Sequence, residues 1–306
     1  MRRIVLLLTL LAAPARALEV VGTTPPWGGR AEYQQLSAPD ALRELYAGRA
    51  DVALVTLPGP PPPKGVGEVL WVPVGVFAAR LAYNLPGVAL RLNVETACRI
   101  FRGDLRLWSD PAIAALNDGA RLPDLPILTS ARTQPNSASL ALANACTALE
   151  VWPFKWRKSN WAANAVFVRG TRREQLQDLT LTGSLGVLGV KEVPPETQLA
   201  SLQAGDKFVP PSPDLGFARS GQLPAAPWER LRLPSGPNAY PLRGLVWAAV
   251  LREQKYRGRT AQDARAVADF LRKLQGANSD DFAPLPENLR PKVELQFGGK
   301  PLNVQP

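Results

Sequence analysis

Two periodicities of apolar and polar positions run through the chain, and each predicts its own kind of element. Short apolar runs closed by turn residues predict buried strands, and these lie at 19–22, 32–36, 51–57, 69–83, 126–128, 165–168, 185–190 and 242–251. Segments with one apolar face predict helices, and these lie at 38–47, 94–101, 112–117, 140–149, 171–179, 260–275 and 289–295. Because strands and helices alternate without an internal repeat, the pattern predicts an α/β protein.

One stretch, residues 125–149, combines features that suit an anion. A short apolar strand leads into a polar loop, 130–139, whose single charge is Arg132, and a helical run follows. Backbone N–H groups at a helix N-terminus have no intrahelical acceptor and attract anions, and an arginine adds a planar, permanently charged donor. The alternative interpretation is an ordinary N-cap at Asn136 or Ser137 and a surface position for Arg132.

The N-terminus has the pattern of a secretory signal. Arg2 and Arg3 precede a short apolar run, 4–13, and an A-x-A cleavage site follows at 15–17. We therefore expect residues 1–17 to be removed and the mature chain to be periplasmic or secreted. No apolar run elsewhere in the sequence is long enough to span a bilayer.

Charge changes this picture little. The formal net charge is +10, and removal of Arg2, Arg3 and Arg16 leaves 33 basic against 26 acidic residues, or +7. This balance favours anionic partners in general, but no nucleic-acid-binding motif is present, so we expect no nucleic acid partner. A basic run at 155–158 (KWRK) lies near Trp152 and Trp161, and we interpret it as a partly buried surface segment.

The reactive residue types argue against an enzyme. The chain of 306 residues contains no histidine, which excludes Ser-His triads and most zinc sites. No phosphate-binding P-loop or nucleophile-elbow motif occurs, and no carboxylate pair stands out for glycoside chemistry. We therefore predict neither an enzyme nor a cofactor. A disulfide between Cys98 and Cys146 is compatible with export, although the sequence does not show that the two residues approach each other.

Several runs together resemble the periplasmic phosphate-binding proteins of ABC importers, the PstS-like substrate-binding family. They occur in the family's order at 84–87 (NLPG), 100–103 (IFRG), 108–117 (WSDPAIAALN), 122–123, 181–189, 240–241, 282–285 and 299–302. The resemblance implies a two-lobe clamshell, with 18–79 plus 240–306 as lobe one and 80–239 as lobe two. Crossing strands are implied near 76–83 and 242–251.

The resemblance also implies the function and the partners. Inorganic phosphate or another small oxyanion would bind between the lobes at helix N-termini, and closure would create the surface that the permease subunits in the membrane recognise. A monomer is the default for this class.

Site residues follow from the same alignment of motifs. The implied ligand-binding residues are Thr23, Thr24, Ser37, Thr56, Arg132, Gln134, Asn136, Ser137 and Ser139. Gln134 and Thr56 stand where the family has aspartates, and the helix that the family has after its first ligand loop is missing here. A carboxylate in an anion site accepts the proton of hydrogen phosphate and repels sulfate, so the sequence predicts that this discrimination is lost.

Three functions remain open at this point. The chain could bind phosphate for an importer, bind another anion such as sulfate or an organic acid, or be a clamshell that has lost its ligand and acts as an interaction or structural protein. Geometry separates them: convergence of Thr24, Thr56, Arg132 and Ser137 on one cleft favours binding. Scattered positions, or an Arg132 engaged in a salt bridge, favour the third function.

Overall fold

The computed structural model describes most of the chain. The described residues are 17–27, 31–57, 59–134, 136–153, 155–156, 160–189, 192–211, 240–254, 256, 258–277 and 282–285. Five sequence predictions lie wholly or partly outside these ranges. They are the signal segment up to residue 16, part of the basic run at 155–158, the last residue of the strand expected at 185–190, the last helix at 289–295 and the C-terminal motif at 299–302.

The elements alternate as the periodicity predicts. The strands are β1 Glu19–Gly22, β2 Glu32–Gln35, β3 Val52–Val55, β4 Val69–Ala78, β5 Arg80–Tyr83, β6 Arg91–Leu92, β7 Leu128–Arg132, β8 Phe167–Arg169, β9 Ser184–Leu188, β10 Gln198–Leu199, β11 Ser201–Ala204, β12 Lys207–Val209 and β13 Arg243–Leu251. The α-helices are α1 Ala38–Tyr46, α2 Val94–Arg102, α3 Pro111–Ala114, α4 Ser137–Ala148, α5 Arg172–Asp178 and α6 Ala261–Gly276. Over the described ranges, no helix is both long and apolar enough to cross a membrane.

The first lobe is built on a five-stranded mixed sheet in the order β2-β1-β3-β13-β4. Strand β1 pairs in parallel with β2 and β3, whereas β13 runs antiparallel to β3 and β4. Helix α6 packs on β4 and buries the apolar stripe that the sequence predicts. That stripe consists of Val267, Phe270, Leu271 and Leu274. Burial of this stripe removes apolar surface from water and holds the helix on the sheet.

The second lobe has its own five-stranded sheet, in the order β10-β5-β9-β7-β8, and a small three-stranded sheet, β12-β11-β6. Strand β7 lies between β8 and β9 and is parallel to both. Helices α2 and α4 contact each other, and a disulfide joins Cys98 to Cys146 between them with a Cα–Cα distance of 5.5 Å. The two sheets and their helices form a two-lobe α/β clamshell, the fold class that the family resemblance implies.

Two chain segments cross between the lobes side by side. The long apolar run at 69–83 is divided at Ala79, where β4 of the first sheet ends and β5 of the second begins. The Ala79 N–H donates to the Leu242 carbonyl at 2.9 Å, so the returning segment crosses at this level. The resemblance implies that the strand at 242–251 crosses between the lobes. Strand β13 instead lies wholly in the first sheet, and the chain crosses before this strand begins.

Three local predictions are wrong, each for a physical reason. The strand expected at 126–128 is Leu128–Arg132, because pairing with two neighbours outweighs the low apolarity of its last residues. Helix α4 begins at Ser137 rather than 140 because Asn136 caps it before the apolar run starts. Helix α3 ends at Ala114 instead of 117, since the Asn117 side chain accepts from the Arg91 N–H and anchors the following turn.

The tryptophans on either side of the basic run are core residues, whereas the described residues of the run itself, Lys155 and Trp156, are exposed and half-buried as expected. Trp152 and Trp161 are 2% and 0% exposed, with ring centroids 5.0 Å apart. Trp161 also packs edge-to-face on Phe101 of α2. Because both rings are buried, neither is available to stack on a nucleic acid base.

Candidate functional site

A cleft of about 220 Å³ lies between the lobes. Thr23, Thr24, Thr56 and neighbouring residues line it from the first lobe, and Asn136, Ser137, Gly189 and Glu192 line it from the second. The volume is below the roughly 300–1,000 Å³ of pockets for drug-sized ligands. It therefore suits a small ion with its nearest waters.

The threonines reach the cleft because two parallel strands end at the same edge of the sheet. Thr23 and Thr24 follow β1, and Thr56 follows its neighbour β3. The Thr23 N–H donates to the Leu54 carbonyl at 3.0 Å, and the Thr23 and Thr56 hydroxyl oxygens lie 3.4 Å apart. Ligands of α/β proteins commonly bind at such carboxyl ends.

The turn from β1 into this loop requires glycine at residue 22. Gly22 has a φ of +152° and an added Cβ would lie 2.0 Å from the Leu54 carbonyl oxygen. The Gly22 carbonyl also accepts from the Tyr33 hydroxyl at 2.8 Å. Burial raises the pKa of Tyr33 to about 12, so the hydroxyl keeps its proton for this bond even in moderately alkaline solution.

Gly22→Ala is expected to lower the free energy of unfolding by at least about 2 kcal/mol, because it adds backbone strain to a steric overlap. The overlap would also move Thr23 away from Thr56. Urea unfolding measures the effect, and Gly67→Ala, where nothing lies within 4 Å of the added Cβ, is the control. Equal stability of the two variants would show that the turn does not need glycine.

Aromatic rings form the floor of the cleft. Phe77 and Phe282 line it and are 4% and 6% exposed. Trp27 stacks on Phe282 with ring centroids 4.6 Å apart and donates from its indole nitrogen to the Leu274 carbonyl at 3.1 Å. Rings that exclude water from the floor strengthen any polar interaction made above them.

The N-terminus of α4 supplies the facing wall. The Asn136 side chain accepts from the Ser139 N–H at 2.9 Å, and the Leu140 N–H donates to the Asn136 carbonyl at 3.0 Å. The N–H groups of Ser137 and Ala138 precede that first intrahelical bond. The first turn contains no acidic residue, so the helix dipole presents partial positive charge to the cleft.

The sequence leads us to expect the Arg132 guanidinium in the cleft, but Arg132 is not among the described residues that line it. It is the last residue of β7 instead of a loop residue and is 7% exposed. Its Nη1 and Nη2 donate to Oε1 and Oε2 of Glu192 at 2.8 and 2.7 Å. Glu192 Oε2 also accepts from the Gly189 N–H at 2.8 Å. The arginine is therefore neutralised by a carboxylate that itself lines the cleft.

A second ion pair stiffens the sheet behind this one. Asp178 accepts from Ser130 of β7 at 2.7 Å and from Arg169 of β8 at 2.6 and 2.8 Å. Burial opposes ionisation of Asp178, but the hydrogen bonds from Arg169 and Ser130 hold its pKa below the ordinary value. These bonds tie β7 and β8 to the end of α5 and so fix the strand that carries Arg132.

The sequence-predicted residues divide into two groups. The structure brings together five of them at the cleft: Thr23, Thr24, Thr56, Asn136 and Ser137. The remaining four do not line it. Ser37 is exposed and caps α1. Gln134 is exposed. Ser139 is buried inside α4 and its carbonyl accepts from Trp161. Arg132 is engaged with Glu192.

Sequence reasoning missed the other lining residues, which are Gly189, Glu192, Pro25, Leu57, Phe77 and Phe282. Gly189 and Glu192 lie beside Arg132 because β9 is parallel to β7, and this strand order is not readable from the sequence. The sequence analysis expects the four residues Thr24, Thr56, Arg132 and Ser137 to meet in one cleft if the protein binds an anion, and this expectation is met only in part. Thr24, Thr56 and Ser137 line one cleft, and Arg132 is salt-bridged.

The fold and the cleft define a structural class: a two-lobe α/β clamshell with a small cleft between its lobes. No protein-family model matches the chain. The chain is 24% identical over 294 residues to the phosphate-binding protein PstS of Pasteurella multocida, a match that covers 88% of this chain and 82% of that protein. The resemblance to PstS-like proteins is thereby confirmed over most of the chain.

Solved structures agree on the fold. A phosphate-binding protein from Stenotrophomonas maltophilia superimposes with a TM-score of 0.61 at 16% identity, covering 95% of this chain and 97% of that one. A DING protein superimposes with a TM-score of 0.68 at 14% identity, covering 94% and 97%. At such identities the likeness establishes the fold alone. The PstS relative and the Stenotrophomonas protein are both named as binding proteins.

Proposed function

We propose that the chain is an extracytoplasmic solute-binding protein that captures phosphate, or a related oxyanion, in the interlobe cleft for an ABC importer. One observation carries the proposal: threonine hydroxyls at the ends of β1 and β3 face the N-terminus of α4 across a small cleft. The similarity to a phosphate-binding protein PstS over 88% of the chain supports phosphate as the ligand.

Each lobe would contribute its own hydrogen-bond donors to the ligand. In the first lobe, Thr24 and Thr56 would donate their hydroxyl protons to ligand oxygens. In the second, the N–H groups at Ser137 and Ala138 and the Asn136 amide would do so. An oxyanion bound by both lobes stabilises the closed form, because only there does it receive all of these hydrogen bonds.

The wider biological setting belongs to the same proposal. We assign lobe one to 18–79 plus 240–306 and lobe two to 80–239, with cleavage of the signal after Ala17. The mature protein would act as a monomer in the periplasm or outside the cell, and its closed form would be recognised by the membrane permease subunits. It would bind its ligand without chemically changing it, and the sequence patterns of a general base or nucleophile are absent.

The Arg132–Glu192 pair favours a second candidate. A carboxylate that occupies the guanidinium is what a clamshell with an altered or lost site would contain. Such a protein would bind another anion or act as an interaction or structural protein. The two candidates differ in whether phosphate binds in the cleft.

Thr56→Val tests the proposed site with a change that keeps the shape of the side chain. Loss of one hydrogen bond to a charged ligand should weaken phosphate binding about ten- to hundredfold. Calorimetric titration of protein stripped of ligand by unfolding and refolding measures this. Thr180→Val is the matched control, because Thr180 is exposed and lies outside the cleft.

Unchanged phosphate affinity in Thr56→Val would remove Thr56 from the site. Absence of phosphate binding in the unaltered protein would refute the proposed function and favour the second candidate.

A further inference from the structure

We infer that Glu192 is the specificity-determining residue of the cleft and selects oxyanions that still carry a proton. This inference rests on the proposed function and deepens it. The ligand class it names is a hydrogen-bond-donating oxyanion such as hydrogen phosphate, as opposed to a fully ionised one such as sulfate. Glu192 lies 60 residues from Arg132 in the chain and outside the loop where the sequence resemblance places the ligand residues.

The first step is the position of the carboxylate. Glu192 lines the cleft, whereas Arg132 is not among the described residues that line it. The exposed fractions of the two side chains agree with this difference: 24% for Glu192 and 9% for Arg132. Among the described residues that line the cleft, Glu192 is the charged one, and its neighbours across the space are neutral hydroxyl, amide and aromatic groups. A ligand in the cleft therefore meets a carboxylate and not a guanidinium.

The second step is the occupancy of the two carboxylate oxygens. Oε2 accepts from Arg132 Nη2 and from the Gly189 N–H, whereas Oε1 accepts from Arg132 Nη1. An ionised carboxylate oxygen has two lone pairs. Within the described part of the chain, these contacts fill Oε2 and leave Oε1 with one lone pair to accept a further proton donor.

The third step is rigidity. Two parallel hydrogen bonds from a planar guanidinium fix both the position and the plane of the carboxylate. Arg132 is in turn fixed at the end of a strand paired on both sides, so Oε1 is held in place before a ligand arrives. Pre-organised groups of this kind discriminate because they cannot rearrange to suit a wrong ligand.

The selectivity follows from these three steps. A hydrogen phosphate oxygen that carries a proton can donate it to Oε1, while its other oxygens accept from the threonines and the α4 N-terminus. Sulfate has no proton at neutral pH, so one of its oxygens would place lone pairs against those of Oε1. Arg132 neutralises the charge of Glu192, which keeps the cleft open to anions in general. Discrimination then depends on the proton and less on the net charge.

This assignment changes the expectation from the sequence. Gln134 and Thr56, at the positions where aspartates are expected, predict that discrimination between phosphate and sulfate is lost. Glu192 supplies a carboxylate to the same cleft from a different segment, and we therefore expect discrimination to be retained.

The test on the unaltered protein uses fluorophosphate, which has the size and double negative charge of hydrogen phosphate but carries fluorine in place of the hydroxyl group. Calorimetric titration of stripped protein should show fluorophosphate at least about tenfold weaker than phosphate, the effect of losing one hydrogen bond to a charged group. Sulfate should give no heat. Equal affinity for phosphate and fluorophosphate would overturn the inference while leaving the proposed function intact.

Glu192→Gln tests the residue itself, because its amide keeps an acceptor for Arg132 and can turn an N–H donor towards the ligand. The preference for phosphate over sulfate should fall at least about tenfold, and the preference for phosphate over fluorophosphate should disappear. Glu95→Gln, at an exposed position on α2, makes the same change in net charge and should leave both ratios unaltered. Unaltered ratios in Glu192→Gln would also overturn the inference.

If the unaltered protein binds none of the three anions, the proposed function and the inference fail together.

Discussion

Arg132→Ala is expected to abolish anion binding and to lower the free energy of unfolding by about 3 kcal/mol. This is the lower end of the cost of breaking a buried ion pair by removing one partner, because the Glu192 side chain left behind is 24% exposed. Arg132 is 7% exposed at the end of β7. Its loss leaves the Glu192 carboxylate in the cleft without its counter-ion. The negative charge then repels every anion that enters.

If Arg132 lay in a loop, as the sequence predicts, its removal would leave the stability of the fold unchanged. An arginine in a loop could be removed without harm to the fold, whereas this one completes a strand and holds a carboxylate in place. Chemical denaturation and calorimetric titration of the variant measure the two effects. Arg121→Ala, at an exposed position in the same lobe, is the control and should change stability by less than about 0.5 kcal/mol.

The double variant Arg132→Ala with Glu192→Gln separates the two causes. Removing the Glu192 carboxylate that has lost its counter-ion should recover part of the lost stability. The double-mutant cycle formed by the two single variants and the double variant then gives the interaction energy of the pair. Arg132→Ala with unchanged stability and unchanged phosphate affinity would show that the pair matters to neither property.

Replacing both Cys98 and Cys146 with alanine is expected to lower the free energy of unfolding by about 4 kcal/mol, from the entropy of closing a loop in the unfolded chain. The two residues are 48 apart in sequence. The bond also joins α2 to α4, the helix whose first residues line the cleft. Phosphate affinity should therefore fall as well, because the start of α4 is less firmly held.

Thermal and chemical unfolding of the double variant beside the unaltered protein measures this effect, and reduction of the unaltered protein should reproduce it. A free-energy difference below about 1 kcal/mol would show that the disulfide adds little to stability. Two titratable thiols in the unfolded, unreduced mature protein would show that the bond does not form on export.

Local patterns predicted most of the fold. Helix α6 follows from an apolar stripe, a capping box and a terminal glycine, all within 17 residues. The sequence predicts one strand region at 69–83, whereas the structure divides this region at Ala79 into strands of two different sheets. Ala79 donates its N–H to the carbonyl of Leu242, a residue far away in the sequence. Such boundaries are set by tertiary pairing, which periodicity does not contain.

The site was harder to predict than the fold for the same reason. The resemblance to PstS-like motifs implies Thr23, Thr24 and Thr56, and the pattern of a polar loop leading into a helix also indicates Asn136 and Ser137. Glu192 is marked by no motif. Its role arises because β9 runs parallel to β7 and brings the loop after β9 beside Arg132. An ion pair between residues 60 apart follows from sheet order, and the sequence does not state that order.

The most direct test is a crystal structure of the ligand-stripped protein grown with phosphate, in conditions free of other oxyanions. We expect one phosphate between Thr24 and Thr56 on one side and the start of α4 on the other, with the Arg132–Glu192 pair intact and a phosphate oxygen within hydrogen-bond distance of Glu192 Oε1. A phosphate bound directly to both terminal nitrogens of Arg132, with Glu192 displaced, would contradict the assigned role of Glu192. A phosphate bound outside the cleft would contradict the site itself.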